Sequence, residues 1–214
     1  MQRRDLIALT GALFVVLLVA GFLIGGSTPD GDSAGSKVVS YYKDHDTRNA
    51  IAIGVIALST VPLLFFASTF RERLRAGLPG RSVLPNFVLL TGVLTAAGLL
   101  GAGVIHLALT DLGDEISPAA AQALNALDND SWIGFAPPAA MIVLGGSLAA
   151  IRGTLLPTWL GWVGVVLFVL QFTPVGFFAA LLALIWIILV SVLLYLRGDA
   201  EARAPGQAAV TPPA

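Results

Sequence analysis

The chain has 214 residues, 57% of them hydrophobic and 12% charged, with a formal net charge of −1. Soluble domains carry roughly 25% charged residues, so charge this sparse excludes an ordinary soluble domain, and the near-neutral balance excludes nucleic-acid binding as a main role. With no cysteine there is no disulfide, no thiolate nucleophile and no Cys-ligated metal site.

Apolar residues come in runs of about 20, the length that crosses a bilayer core of ~30 Å. The fold class expected is therefore an all-α polytopic membrane bundle. The first run covers residues 6–24, preceded by Gln2, Arg3 and Arg4. Its apolar stretch exceeds the roughly 7–15 residues of a secretory signal, so it is expected to stay as an anchor. Next, Val38, Tyr41, Tyr42 and His45 recur at helical spacing, with Lys37, Ser40 and Asp44 on the other side. That pattern predicts a short amphipathic helix docked on the outer end of the bundle. Spans over residues 50–70 and 87–109 follow. Ser117-Pro118 then reads as an N-cap and first helical residue. Behind it Ala120, Leu124 and Leu127 form an apolar stripe, with Gln122, Asn125 and Asp128 polar, which predicts a second short outer helix.

A fourth span covers residues 132–151. The apolar stretch after it, residues 153–196, would make a helix of ~66 Å, twice the bilayer core. It is expected to fold back at Gln171, Thr173, Pro174 and Gly176, giving a fifth span over 157–171 and a sixth over 177–196. The tail, residues 198–214, lacks apolar periodicity and is expected to be a disordered cytoplasmic segment.

Orientation follows from the loops. With the amino terminus inside, nine of the twelve Lys and Arg residues fall in the cytoplasm and only Lys37, Lys43 and Arg48 outside. Six spans with both ends cytoplasmic is the parity that gives the short basic loops to the inner side. Asp30, Asp32, Asp44, Asp46, Asp111, Asp114, Glu115, Asp128 and Asp130 then make the outer face acidic. Trp132, Trp159, Trp162 and Tyr195 fall at interface depth, while Trp186 is mid-span and needs a packing or lipid-facing role.

No span carries Asp, Glu, Lys or Arg in its apolar core, which weighs against an ion-coupled carrier. The only ionisable side chain inside a span is His106. With His45 and Asp111 it forms a candidate metal set on the outer face, imidazole and carboxylate being first-row metal ligands. The plainer reading makes His45 an interfacial ring beside Tyr41 and gives His106 a hydrogen bond to a neighbouring helix. Neither HxxxH nor HExxH spacing is present, so no metal or other cofactor is assigned. Thr91 and Thr95, with Gly92, Gly98, Gly101 and Gly103, read as a close helix contact with hydroxyls joining the helices. Gly145, Gly146 and Ser147, and Gly161 with Gly164, read likewise. Pro62, and Pro137 with Pro138, read as kinks in the second and fourth spans.

Three stretches carry a family resemblance: Val38-Val39-Ser40-Tyr41-Tyr42-Lys43-Asp44-His45-Asp46, then Phe65-Phe66-Ala67-Ser68-Thr69-Phe70-Arg71-Glu72-Arg73-Leu74-Arg75, and Leu156-Pro157-Thr158-Trp159-Leu160-Gly161-Trp162. Together they resemble short multi-pass membrane proteins common in actinobacteria, similar to the domain-of-unknown-function 4386 family. The resemblance implies a bacterial cell-membrane bundle and no activity. Function is expected to be non-catalytic, with the outer cap binding a membrane-protein partner or a second copy of the chain. The alternatives are an uncoupled transporter or channel for a neutral or lipidic solute, and a metal-dependent enzyme using His45 and His106.

Overall fold

A computed structural model of the chain describes residues 6–78, 80–111 and 116–203, with side chains described up to Arg197. Among the described residues the regular structure is entirely helical. Helix α1 spans Leu6–Gly25 and opens with a 3-10 turn. It is followed by α2 (Gly35–Asp44), α3 (Asp46–Gly77), α4 (Leu84–Asp111) and α5 (Pro118–Asp130). A 3-10 turn at Ser131–Gly134 leads into α6 (Ala136–Arg152), and α7 (Thr158–Leu170) and α8 (Gly176–Arg203) follow as the last helices of the described residues.

Five stretches are long and apolar enough to cross a membrane: Leu6–Gly25, Asp46–Gly77, Leu84–Asp111, Pro118–Arg152 and Gly176–Arg197. Helix α7 has 13 residues, about 20 Å at 1.5 Å per residue, and falls below the usual spanning length. Helices α3, α4 and α8 outrun their apolar runs. Hydropathy marks where lipid would lie, but a helix continues until its backbone bonds fail. Neither residues 46–49 nor residues 71–76 contain Pro or Gly, and α3 ends at Gly77. The carboxyl-terminal helix likewise runs to Arg203, six residues past the boundary expected at 197. Residues 204–214 of the expected tail lie outside the described residues, as do Asp114 and Glu115.

One core runs the length of the bundle, built from residues such as Phe14, Leu63, Phe66, Phe70, Ile142, Trp186 and Val190. Helix α1 packs along α3, α3 along α4, and α4 along α6, while α8 closes the bundle against α1, α6 and α7. Small residues set these distances. The methyl of Ala67 lies where a Cβ at Gly92 would go, and a Cβ at Gly98 would overlap the Gly134 carbonyl. Gly146 leaves room for the rings of Phe70 and Trp186. Trp186 is 1% exposed and its Nε1–H donates to the Leu160 carbonyl at 3.0 Å, so its mid-span position is a packing role. At the other side of α8 the Ser191 hydroxyl donates to the Ala8 carbonyl and accepts from the Ala12 N–H.

Two local readings need correcting. Thr91 and Thr95 are buried at the α4 contact, but their hydroxyls donate within α4, to Phe87 and Val88 and to Thr91 respectively, at 2.8–3.1 Å. A hydroxyl has one hydrogen; that of Thr91 is shared between two carbonyls of its own helix, and that of Thr95 goes to one, so neither is left for the facing helix. Pro137 and Pro138 do not kink the interior of a helix. Helix α6 starts at Ala136, so they occupy its first turn, where the missing N–H has no intrahelical partner to lose. Pro62 does lie inside continuous α3, where Ser59 and Thr60 donate to the carbonyls of Ile56 and Ala57. The expected fold-back at Gln171–Gly176 is a turn closed by Gly176 N–H to the Thr173 carbonyl at 2.8 Å.

Candidate functional site

Helices α2 and α5 lie over one end of the bundle and carry a cluster of polar contacts there. Helix α2 docks through Val38 and Tyr42, both fully buried, against Leu109 of α4 and Ala121 of α5. Lys37, Ser40 and Asp44 stay exposed, so the amphipathic reading of this segment holds. The two helices meet closely at their starts, where a Cβ on Gly35 would overlap the Pro118 backbone carbonyl. Ser117 caps α5 as expected, its hydroxyl accepting from the Ala120 N–H at 3.3 Å.

The centre of the cap is a three-helix polar node. His106 Nδ1 of α4 lies 2.8 Å from Asp128 Oδ2 of α5, and the Tyr42 hydroxyl of α2 donates to the same oxygen at 3.3 Å. The Tyr42 ring meets the His106 ring edge-on, with centroids 5.3 Å apart. The side chains of His106 and Asp128 are 18% and 10% exposed. Burial, and then the Asp128 carboxylate, push the Tyr42 phenol well above its ordinary range, so it remains a protonated donor. One carboxylate oxygen thus joins α2, α4 and α5.

A second layer surrounds the node. Tyr41 and His45 stack at 4.6 Å with planes 22° apart, and His45 Nδ1 lies 2.9 Å from the Tyr41 carbonyl. Arg48 donates to the Tyr41 hydroxyl at 2.7 Å and lies over its ring. On the far side, Asn125 donates to the Asp30 carbonyl at 2.8 Å and Asn129 to the Pro29 carbonyl at 3.2 Å, which ties the α1–α2 connection to α5. Asn49, near the start of α3, is fully buried, and neither amide atom has a partner among the described residues.

Of the residues singled out from sequence, Tyr41, Tyr42, His45 and His106 gather in this cap. Thr91, Thr95 and Gly98 lie in the bundle contacts. Asp111 is exposed at the end of α4, and the bonds of the node run through Asp128 instead. Among the described residues no three His, Cys, Asp or Glu side chains group as a metal cage. The Nδ1 atoms of the two imidazoles already engage different groups.

Sequence reasoning missed Asp128 and Asn125. The expected inward stripe of α5, Ala120, Leu124 and Leu127, is rotated: Ala121 and Asn125 are buried, Leu124 and Asp128 half-buried, and Ala120 and Leu127 exposed. Polar residues face inward because His106 and the Asp30 carbonyl supply partners there. The available signal was the i, i+3, i+4 recurrence of Asn125, Asp128 and Asn129, a polar stripe at helical spacing. The chain matches no family model, and no curated protein or solved structure is significantly similar to it.

Proposed function

We propose that this is a six-span cell-membrane protein, both ends cytoplasmic, whose ordered outer cap is a non-catalytic docking platform for a membrane-protein partner. The observation that carries the reading is the node of Tyr42, Asp128 and His106. A mere connection between spans needs no half-buried carboxylate joining three helices, whereas a recognition surface benefits from being ordered in advance. Around the node, Asp30, Asp32, Asp44, Asp46 and Asp130 are exposed, against Lys37 and Lys43. That surface suits a partner segment rich in Lys and Arg.

The sixth crossing is supported by antiparallel packing. Arg197 donates to the carbonyls of Thr154 and Leu155, and Trp186 to Leu160, so α7 runs back along α8 despite its length. Membership of the domain-of-unknown-function 4386 family remains part of the proposal, on the three stretches quoted above, and assigns no chemistry.

Two experiments test the reading. Cysteine labelling after Gly35, Gly77 and Gly153 and at the carboxyl end reads the topology, and an external carboxyl end rules out six spans. For the cap, a photo-crosslinking residue at Ala123, exposed on α5, is expected to trap a partner in native membranes. Joint Asp→Asn changes at positions 30, 32, 44 and 46 are expected to weaken trapping at least severalfold. Trapping that ignores both these changes and salt refutes the acidic platform.

A further inference from the structure

At the end opposite the cap, the arginines divide into two groups by what they touch. Arg71 and Arg75 share Asn86 Oδ1 at 3.0 and 3.2 Å and both pair with Glu72. Arg197 closes the α6–α7 turn through two backbone carbonyls, and Arg73 also has an interaction of its own. Arg81 and Arg152 have no partner among the described residues, and both line the same cleft of ≈ 300 Å³, between the α3–α4 connection and the end of α6. A positive-inside bias accounts for the number of arginines at this end, but it does not place two uncommitted ones around one cavity.

The remaining walls have complementary chemistry. Ser82 accepts from the Leu84 N–H at 3.3 Å, which leaves its own hydroxyl hydrogen to donate into the cleft. Helix α4 begins at Leu84, so the positive end of its dipole lies beside the opening. Leu78 and Val83 supply apolar contact, Val83 being 79% exposed. On neighbouring α7, Trp159 and Trp162 are 60% and 59% exposed, a disposition suited to headgroup depth. Guanidinium groups match phosphate oxygens in paired hydrogen bonds, and basic pockets between membrane helices on the cytoplasmic side recognise anionic headgroups.

We propose that this cleft binds the phosphate of an anionic phospholipid headgroup, with Arg81 and Arg152 as its two cationic arms and the Ser82 hydroxyl as a neutral donor. The bilayer supplies such a lipid at the depth of the opening, and the exposed Val83 faces its glycerol and acyl portion. The inference rests on membrane embedding and is independent of what the outer cap binds.

The test uses the full-length protein, purified, delipidated and reconstituted in nanodiscs of phosphatidylcholine with or without phosphatidylglycerol. Lipid retained after mild extraction is read by native mass spectrometry. Phosphatidylglycerol is expected to be retained in preference to phosphatidylcholine. The double variant Arg81→Gln/Arg152→Gln is expected to lose that preference by at least about tenfold, given the strength of charge-assisted hydrogen bonds. The Lys/Lys variant is expected to keep part of it, and Arg71→Gln/Arg75→Gln to keep all of it. Both pairs lie at the same end of the molecule, so equal losses reduce the effect to bulk charge and overturn the site. Retention unchanged in the Gln/Gln variant overturns it as well. Inorganic phosphate at millimolar concentration that displaces the lipid and equally stabilises the lipid-free protein reassigns the cleft to a soluble phosphate and overturns the lipid. Unaltered crosslinking at Ala123 throughout separates failure here from failure of the cap reading.

Discussion

Replacing Asp128 by Ala removes the one acceptor shared by α2 and α4. The Tyr42 residue is 0% exposed, so its hydroxyl cannot turn to water without opening the cap, and His106 loses its 2.8 Å partner. A buried group left unpaired costs about 1–3 kcal/mol. With His106 partly reachable by solvent, the two losses together come to about 2–4 kcal/mol. Asp128→Asn keeps an acceptor oxygen and is expected to cost about 1 kcal/mol, the difference between a charged and a neutral hydrogen bond. Tyr42→Phe removes the donor and keeps the ring, so a double-mutant cycle with Asp128→Ala isolates the contact. The assay is amide hydrogen exchange by mass spectrometry in detergent, supported by thermal unfolding. Peptides from α2 and α5 are expected to lose protection in Asp128→Ala while the α3 and α8 cores do not. Strictly additive effects of Tyr42→Phe and Asp128→Ala, with α2 protection unchanged, would refute the node as the element that holds the cap.

The small-residue contacts make a paired prediction: Gly98→Ala, whose methyl overlaps the Gly134 carbonyl, is expected to destabilise by about 3 kcal/mol. Gly101→Ala, with open space at its Cβ, is expected to be neutral or stabilising by up to about 1 kcal/mol; equal thermal shifts for the two contradict the packing. Trp186→Phe is expected to cost about 2 kcal/mol through the lost bond to Leu160 and the smaller ring, seen as a lower unfolding temperature. Asn49→Leu removes an amide that has no partner among the described residues, and is expected to leave stability unchanged or to raise it. A loss above about 2 kcal/mol would instead reveal a bound water or partner group at Asn49.

How far the residues alone carry can be judged from particular elements. Among the described residues, run length and helix punctuation located the eight α-helices, though not their ends, together with the Ser117 cap and the turn over residues 171–176, because both depend on local chemistry: apolar side chains cannot stay in water, and a backbone stops where Pro, Gly or a capping hydroxyl makes another conformation cheaper. The amphipathic face of α2 was legible for the same reason, since Val38 and Tyr42 can be apolar together only if something covers them. What no local pattern contains is the identity of the covering group. Asp128 reads as a solvated carboxylate until folding brings His106, 22 residues away, and Tyr42, 86 residues away, to the same oxygen. Thr91 and Thr95 read as links between helices until the packing shows their hydroxyls satisfied inside α4. Arg81 and Arg152 look like the other arginines of their end until the cleft they share separates them from those held by Asn86, Glu72 and backbone carbonyls. Helix position is a property of a segment, and so is written in its sequence. A polar side chain's partner depends on the distance between segments, which only the tertiary structure decides.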